Sequence, residues 1–265
     1  MTWERVSAQK KCPICGKPDW CSISSDGTAV ICPRIEEGSR KYIDGSGYLH
    51  ILKETEDWKK ELSKPITRQL PEHNEVIAII ARKLARSITE ERVSVLSENL
   101  GVSVDSLKRL NVGFSPQQDA YSFPMLRMGN RLLGVRMRNM QGKKWAIKGS
   151  KQGLFIPNKL SGKGGLVICE GPTDTACMLD MKFDAIGRPS CNSGTDLICE
   201  FVKGRHIAIM ADCDGPGLDG AERLASALTQ CCKSVTVAVP PAKDVREFVE
   251  QGATRKDLLE IIKGQ

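Results

Sequence analysis

Two apolar runs that end in acidic residues and then glycine constrain this chain most. The first is Gly165-Leu-Val-Ile-Cys-Glu170-Gly-Pro-Thr-Asp174, and the second is His206-Ile-Ala-Ile-Met-Ala-Asp212-Cys-Asp214-Gly-Pro-Gly217. A continuous apolar run closed by turn residues reads as a buried strand of a parallel sheet. A third run, Ser234–Val239, follows, and helical patterns begin near Thr173 and Leu218. This βαβαβ order predicts an α/β unit built on a parallel sheet with flanking helices. Acidic groups at the carboxyl ends of such strands project into the crevice where α/β folds place ligands. Crowded carboxylates repel one another, so they either take up protons or bind a hard cation such as Mg²⁺ or Mn²⁺. That combination is suited to metal-assisted phosphoryl transfer.

A different metal chemistry is written near the N-terminus. Cys12-Pro-Ile-Cys15-Gly has the spacing of a zinc knuckle, and Cys21 and Cys32 follow. Ser25-Asp26-Gly27-Thr28 is a hairpin turn between two short strand patterns, so a symmetric turn places Cys21 opposite Cys32. Four thiolates then close a structural Zn²⁺ site on a small zinc-ribbon-like β domain over residues 1–53. His50, in a Leu-flanked strand, is the alternative to Cys21 as fourth ligand.

Between these two regions the chain is basic. Residues 65–161 carry 16 basic and 7 acidic residues, whereas 162–265 carry 12 and 15. After a charged, proline-containing linker at 54–75, apolar positions recur with helical spacing from Val76 to Arg92. A second helical pattern breaks at Gly101, with Ser103 as the N-cap of the helix that follows. This hairpin imitates a helix-turn-helix reader, but packing is the role read for it here. Three strand patterns then alternate apolar with basic residues: Ser122–Arg127, Asn130–Arg138 and Lys144–Lys148. No Asp or Glu occurs between 120 and 169. Arg127, Arg136, Arg138, Lys144, Lys148 and Lys151 are candidate contacts to nucleic acid or nucleotide on an α+β subdomain spanning 76–161. Alternate strand residues share a face, so Arg136 and Arg138 point the same way.

The net charge of +7 and the 11 cysteines fit this reading. The sequence has neither an apolar run of membrane-spanning length nor a signal-peptide core, which predicts a cytoplasmic protein without membrane contact. Cysteines in that compartment serve as metal ligands or small packing residues rather than as a disulfide framework.

The pattern Glu170-Gly-x-x-Asp174, then Asp212-x-Asp214-x-x-Gly217, then Lys243-Asp244-Val-Arg-Glu-Phe resembles the Toprim domain of DNA primases. The segments Phe123–Arg138 and Gly149–Pro157 are similar to the basic subdomain that precedes it. With the N-terminal zinc hairpin, the resemblance covers nearly the whole chain and is to Toprim-domain primases of the phage, mobile-element or bacterial DnaG-like type. It implies a Toprim-type parallel sheet at 162–265 that synthesises short RNA primers on single-stranded DNA from nucleoside triphosphates. Glu170, Asp212 and Asp214 would be catalytic, and Glu170, Asp174, Asp212, Asp214 and Asp244 would hold magnesium or manganese. Position 246, where such primases carry a second Asp, is Arg. The resemblance also implies a separate replicative helicase as partner. A Toprim metal-dependent nuclease and a non-catalytic DNA-binding accessory protein are the rival readings.

Overall fold

A computed structural model of the chain describes residues 2–43, 46–53, 73–162 and 164–264. It contains two compact units, Met1–Arg68 and Gln69–Gln265. Of the linker expected at 54–75, residues 54–72 lie outside those described.

The first unit is a five-stranded antiparallel sheet of β1 (Trp3–Arg5), β2 (Ser22–Ser24), β3 (Ala29–Cys32), β4 (Lys41–Ile43) and β5 (Gly47–Ile51), in the order β1-β2-β3-β5-β4. The β2–β3 turn is fixed by Asp26, whose Oδ1 accepts from the Thr28 amide at 3.1 Å and the Thr28 hydroxyl at 2.8 Å. Ser22 pairs with Ile31 and Ile23 with Val30, so the register sets Cys21 beside Cys32. Val6, Ile23 and Val30 pack with the buried cysteines on one face of this sheet. The zinc-ribbon-like β domain expected from the hairpin is therefore present.

The second unit begins with three helices, α1 (Glu75–Ser87), α2 (Glu90–Leu100) and α3 (Val104–Arg109). The helical pattern expected to run from Val76 to Arg92 is interrupted. Ile88 is extended, and the Thr89 hydroxyl caps α2 by accepting from the Arg92 amide at 3.3 Å. A β-branched pair that caps competes with helix continuation, which explains the break. The break at Gly101 lies where the sequence puts it, with a left-handed φ of 64° and Ser103 capping α3. Val93, Leu96, Leu100 and Leu107 are buried, so this hairpin packs into the core. Asp180 also ties it down, accepting from the Ser103 amide at 2.7 Å and the Ser103 hydroxyl at 2.5 Å.

Two sheets follow. The first is antiparallel, in the order β6 (Gly113–Ser115), β7 (Ala120–Arg127), β8 (Arg131–Arg138) and β9 (Lys144–Ala146). The second is parallel and comprises β10 (Leu166–Glu170), β11 (Ala185–Arg188), β12 (His206–Met210) and β13 (Ser234–Ala238), in the order β11-β10-β12-β13. Helices α4 (Pro172–Asp180), α5 (Thr195–Phe201), α6 (Gly215–Leu228), α7 (Val245–Glu250) and α8 (Arg255–Lys263) connect and flank its strands. The continuous apolar runs are buried as expected, with Leu166, Ile168 and Ile209 wholly inaccessible.

A two-residue strap joins the sheets. Leu154 exchanges both backbone hydrogen bonds with Leu126 at 2.7 Å, and Phe155 exchanges both with Gly187 at 2.8 and 2.9 Å. Gly187 has no room for a side chain, because a Cβ there would lie 2.6 Å from the Gly171 carbonyl oxygen. The antiparallel sheet is thereby held against the strand ends that carry the acidic residues.

Candidate active site

Five carboxylates converge at the carboxyl ends of adjacent parallel strands. Glu170 ends β10, and Asp174 lies in the first turn of α4. Asp212 lies two residues beyond β12, and Asp214 caps α6 by accepting from the Gly217 amide at 2.7 Å. Asp244 follows β13 and caps α7, accepting from the Glu247 amide at 2.8 Å. The Cys213 amide donates to the Lys243 carbonyl at 2.8 Å, binding the Asp212–Asp214 loop to the Asp244 loop. A cap uses one oxygen of each carboxylate, so capping and a second role are compatible at Asp214 and Asp244.

The electrostatics of the cluster are unfavourable as it stands. Asp174 is only 7% exposed, and its Oδ1 has no hydrogen-bond partner among the described residues; the same holds for the buried Oε2 of Glu170. Burial, then the charges of Asp244 and Asp212, push the Asp174 carboxyl well above the ordinary range. Asp212 is pushed up to about 7 by burial and by Glu170, Asp244 and Asp214, with Lys144 acting in the opposite sense. Buried carboxylate oxygens without donors, crowded by like charge, fit a hard divalent cation with oxygen ligands.

The six basic candidates divide by their surroundings. Arg138 ends β8 half-buried, and its charge is felt by Asp174. Lys144 is exposed and within electrostatic reach of both Asp174 and Asp212. Arg136 donates to the Pro189 carbonyl at 3.0 Å, beyond the end of β11. Arg127 forms an ion pair with Glu200 at 2.9 Å, with both side chains mostly buried. Lys148 and Lys151 are exposed.

Two cations were not singled out from the sequence. Arg188, 2% exposed, ends β11 and pairs in register with Glu170. One guanidinium nitrogen donates to the Cys191 carbonyl at 2.5 Å and to the Gly220 carbonyl at 3.3 Å. Glu170 and Asp212 are the carboxylates whose charge acts on it. Arg246 stands where an acidic residue was expected; it bonds Glu250 and lowers the pKa of both Asp174 and Arg138. A four-residue strand hid Arg188; Arg246 was visible only as a departure from a motif.

In the first unit the sulfurs of Cys12, Cys15, Cys21 and Cys32 all lie within 4.8 Å of one another. Cys15 and Cys21 are 3.6 Å apart, and the Cys15 amide points at the Cys12 sulfur at 3.5 Å. Burial raises the Cys15 thiol, but the Lys17 amide and the neighbouring thiols outweigh it and bring it down to about 7. Cys21 is pushed up by burial and by the same neighbours. Four gathered sulfurs match the donor set of a closed tetrahedral zinc site. His50 is not among them; its Nε2 lies 2.8 Å from the Ile35 carbonyl oxygen. Beside the cluster, Trp20 is 70% exposed at a left-handed φ of 64°, with its carbonyl held by Arg5 at 2.8 Å.

No protein-family model and no curated protein sequence matches the chain. Solved structures do. The primase fragment of the bacteriophage T7 primase-helicase protein aligns over 94% of this chain and 96% of its own, at TM-score 0.52 and 17% identity. The Aquifex aeolicus primase, with its zinc-binding and RNA polymerase domains, aligns over 100% of this chain and 80% of its own, at TM-score 0.55 and 13% identity. The DnaG primase catalytic domain bound to single-stranded DNA aligns over 72% and 77%, at TM-score 0.57 and 12% identity. The chain shares the fold of these primase fragments. Among the described residues, no helix is long and apolar enough to cross a membrane.

Proposed function

We propose that this chain is a DNA primase that joins ribonucleoside triphosphates into short primers on a single-stranded DNA template. The observation that carries the reading is the crowded carboxylate cluster at the carboxyl ends of β10, β12 and β13, in which buried oxygens of Asp174 and Glu170 have no donor among the described residues, with Arg138 and Lys144 of the basic sheet beside it. Glu170, Asp174, Asp212, Asp214 and Asp244 would hold one or two Mg²⁺ or Mn²⁺ ions. Bound there, the cations would offset triphosphate charge and favour ionisation of the primer 3′-hydroxyl. Glu170 and Asp212 stand nearest in character to a proton acceptor for that hydroxyl, since each ends or follows a strand without serving as a cap. Lys144 and Arg138 would bind phosphate, and Lys148 and Lys151 would extend the basic surface along the template. Arg127 and Arg136, tied to Glu200 and Pro189, would act by holding the basic sheet in place.

The four-cysteine cluster would bind Zn²⁺ and set the shape of the first unit. Trp20, exposed and with its carbonyl held by Arg5, would stack on a template base. A separate replicative helicase would deliver single-stranded template, in the cytoplasm of a bacterium or a phage-infected bacterial cell.

The test is a priming assay with single-stranded DNA of mixed sequence, labelled ribonucleoside triphosphates and Mg²⁺ or Mn²⁺. Short labelled oligomers support the proposal. Degraded template would assign the same carboxylates to a nuclease, and bound but unaltered template would assign the chain to an accessory role.

A further inference from the structure

The parallel sheet has a second concavity, at the end opposite the carboxylates. A cavity of about 600 Å³ lies between α8 and the amino-terminal ends of β10, β12 and β13. Leu166, which lines it, lies four residue steps before Glu170, so about 13 Å of strand separates the two sites. None of the five carboxylates lines it.

Its wall is partly apolar and partly polar, with His206, Ser234 and Thr236 in the lining, and its mouth is basic. Val167 and Ala208, on the face of the sheet that packs against α8, form part of the floor, and Leu259 and Ile262 of α8 line the other side. Arg255 and Lys263 lie on the same face of α8 by their spacing, and Lys182 joins them at the rim. Arg255 is fixed in place: it donates to the Met181 carbonyl at 2.5 Å and lies 4.0 Å over the Phe183 ring. The acidic residue in the lining, Asp184, is neutralised. Its carboxylate accepts from the Ser161 amide at 2.8 Å, the Ser161 hydroxyl at 2.9 Å, the Gly162 amide at 3.0 Å and Arg205 at 3.3 Å. Lys182 and Lys263 have no ion-pair partner among the described residues.

A cavity of this size, with partly apolar walls and a few convergent charges, has the build of a small-ligand site. The sign of those charges selects the ligand. We propose that the cavity binds a small amphipathic anion, a compact apolar body carrying one carboxylate, sulfonate or phosphate group. The body lies against Val167, Ala208 and Ile262, and the anionic head meets Arg255, Lys263 and Lys182. The site is independent of the primase reading.

The probe is 8-anilino-1-naphthalenesulfonate, titrated into the full chain in magnesium-free buffer and read by fluorescence. The expected result is saturable, one-to-one binding with a micromolar Kd. The double variant Arg255→Gln/Lys263→Gln should weaken it about tenfold, as loss of charge-assisted contacts of this kind does. Ile262→Trp, which fills the cavity with an indole, should remove it while leaving the far-ultraviolet circular dichroism unchanged. If that variant does not fold, the surface charge variants still decide the matter. Unchanged emission in the charge variants would overturn the proposal, because the dye would then be bound elsewhere. Octanoate and adenosine 5′-monophosphate serve as competitors. Displacement by octanoate supports an aliphatic carboxylate and displacement by the nucleotide supports a phosphate; displacement by neither contradicts the proposal.

Discussion

Glu170 and Arg188 end two neighbouring parallel strands in register, so a buried guanidinium stands beside the first carboxylate of the acidic cluster. Glu170 and Asp212 are the carboxylates acting on Arg188, and its hydrogen bonds go to the Cys191 and Gly220 carbonyls. It is therefore a positioning residue: too buried to meet substrate, it fixes a positive charge behind the cluster and ties down the loop after β11. Arg188→Met should lower Tm, because two carbonyls lose a charged donor at about 1.5–3 kcal/mol for such bonds. Removing this fixed positive charge beside Glu170 and Asp212 should also tighten Mg²⁺ binding measured by calorimetry. An unchanged Tm together with unchanged Mg²⁺ affinity would remove this role.

Asp212 gives the protein a definite pH dependence. Its folded value of about 7 lies above the usual value of about 4 for an unfolded aspartate. Between those values the folded state binds the extra proton, so stability falls as pH rises from about 4 through 7. In magnesium-free buffer, Tm should be lower at pH 8 than at pH 6. Ligating carboxylates must be deprotonated, so Mg²⁺ should raise Tm more at pH 8 than at pH 6. Thermal scans at both pH values, with and without 10-fold steps of Mg²⁺, check this; a larger Mg²⁺ effect at pH 6 would contradict it.

The zinc assignment separates two residues that the sequence leaves as alternatives. Cys21 belongs to the sulfur cluster, whereas His50 lies against the Ile35 carbonyl. Cys21→Ser should release zinc and unfold the first unit, because structural zinc binding and folding are coupled in such units. His50→Ala should keep one equivalent of zinc by atomic absorption. Loss of zinc from the His50 variant alone would reverse the assignment.

Trp20 is held in a strained backbone conformation that exposes its indole. Strain of this kind at a bulky residue points to a use for the side chain. Trp20→Ala should weaken single-stranded DNA binding by about 1–3 kcal/mol, the range for loss of one stacked base. Fluorescence anisotropy with a labelled oligonucleotide measures it. Equal affinity in wild type and variant would exclude stacking at Trp20.

Much of this architecture could be read from long local patterns. The buried runs at Leu166–Glu170 and His206–Met210 announce a parallel sheet because both faces are covered, leaving no polar alternation. The Asp26-Gly27 turn fixes a register, and the register brings Cys21 to Cys32. What escaped the sequence is short or non-local. Strand β11 is four residues long, α5 and α7 are seven and six, and none carries a period long enough to count. The Leu154–Phe155 strap exists only because two sheets present free backbone edges to it. The α1–α2 break at Ile88-Thr89 depended on a cap outcompeting an otherwise continuous helical pattern. At the site, the acidic residues were legible because strand ends are; the fit of Arg188 and Arg246 around them depends on tertiary packing.

In the proposed division of labour the carboxylate cluster joins nucleotides and template binding lies elsewhere. Primer synthesis and single-stranded DNA affinity should therefore be measured together for the wild type and Asp212→Asn. Short labelled oligomers are expected from the wild type and none from Asp212→Asn, with equal DNA affinity and an intact fold in both. Removing one of several repelling charges should leave the variant at least as stable in magnesium-free buffer. Primer synthesis by Asp212→Asn at the wild-type rate would take nucleotide joining away from this cluster.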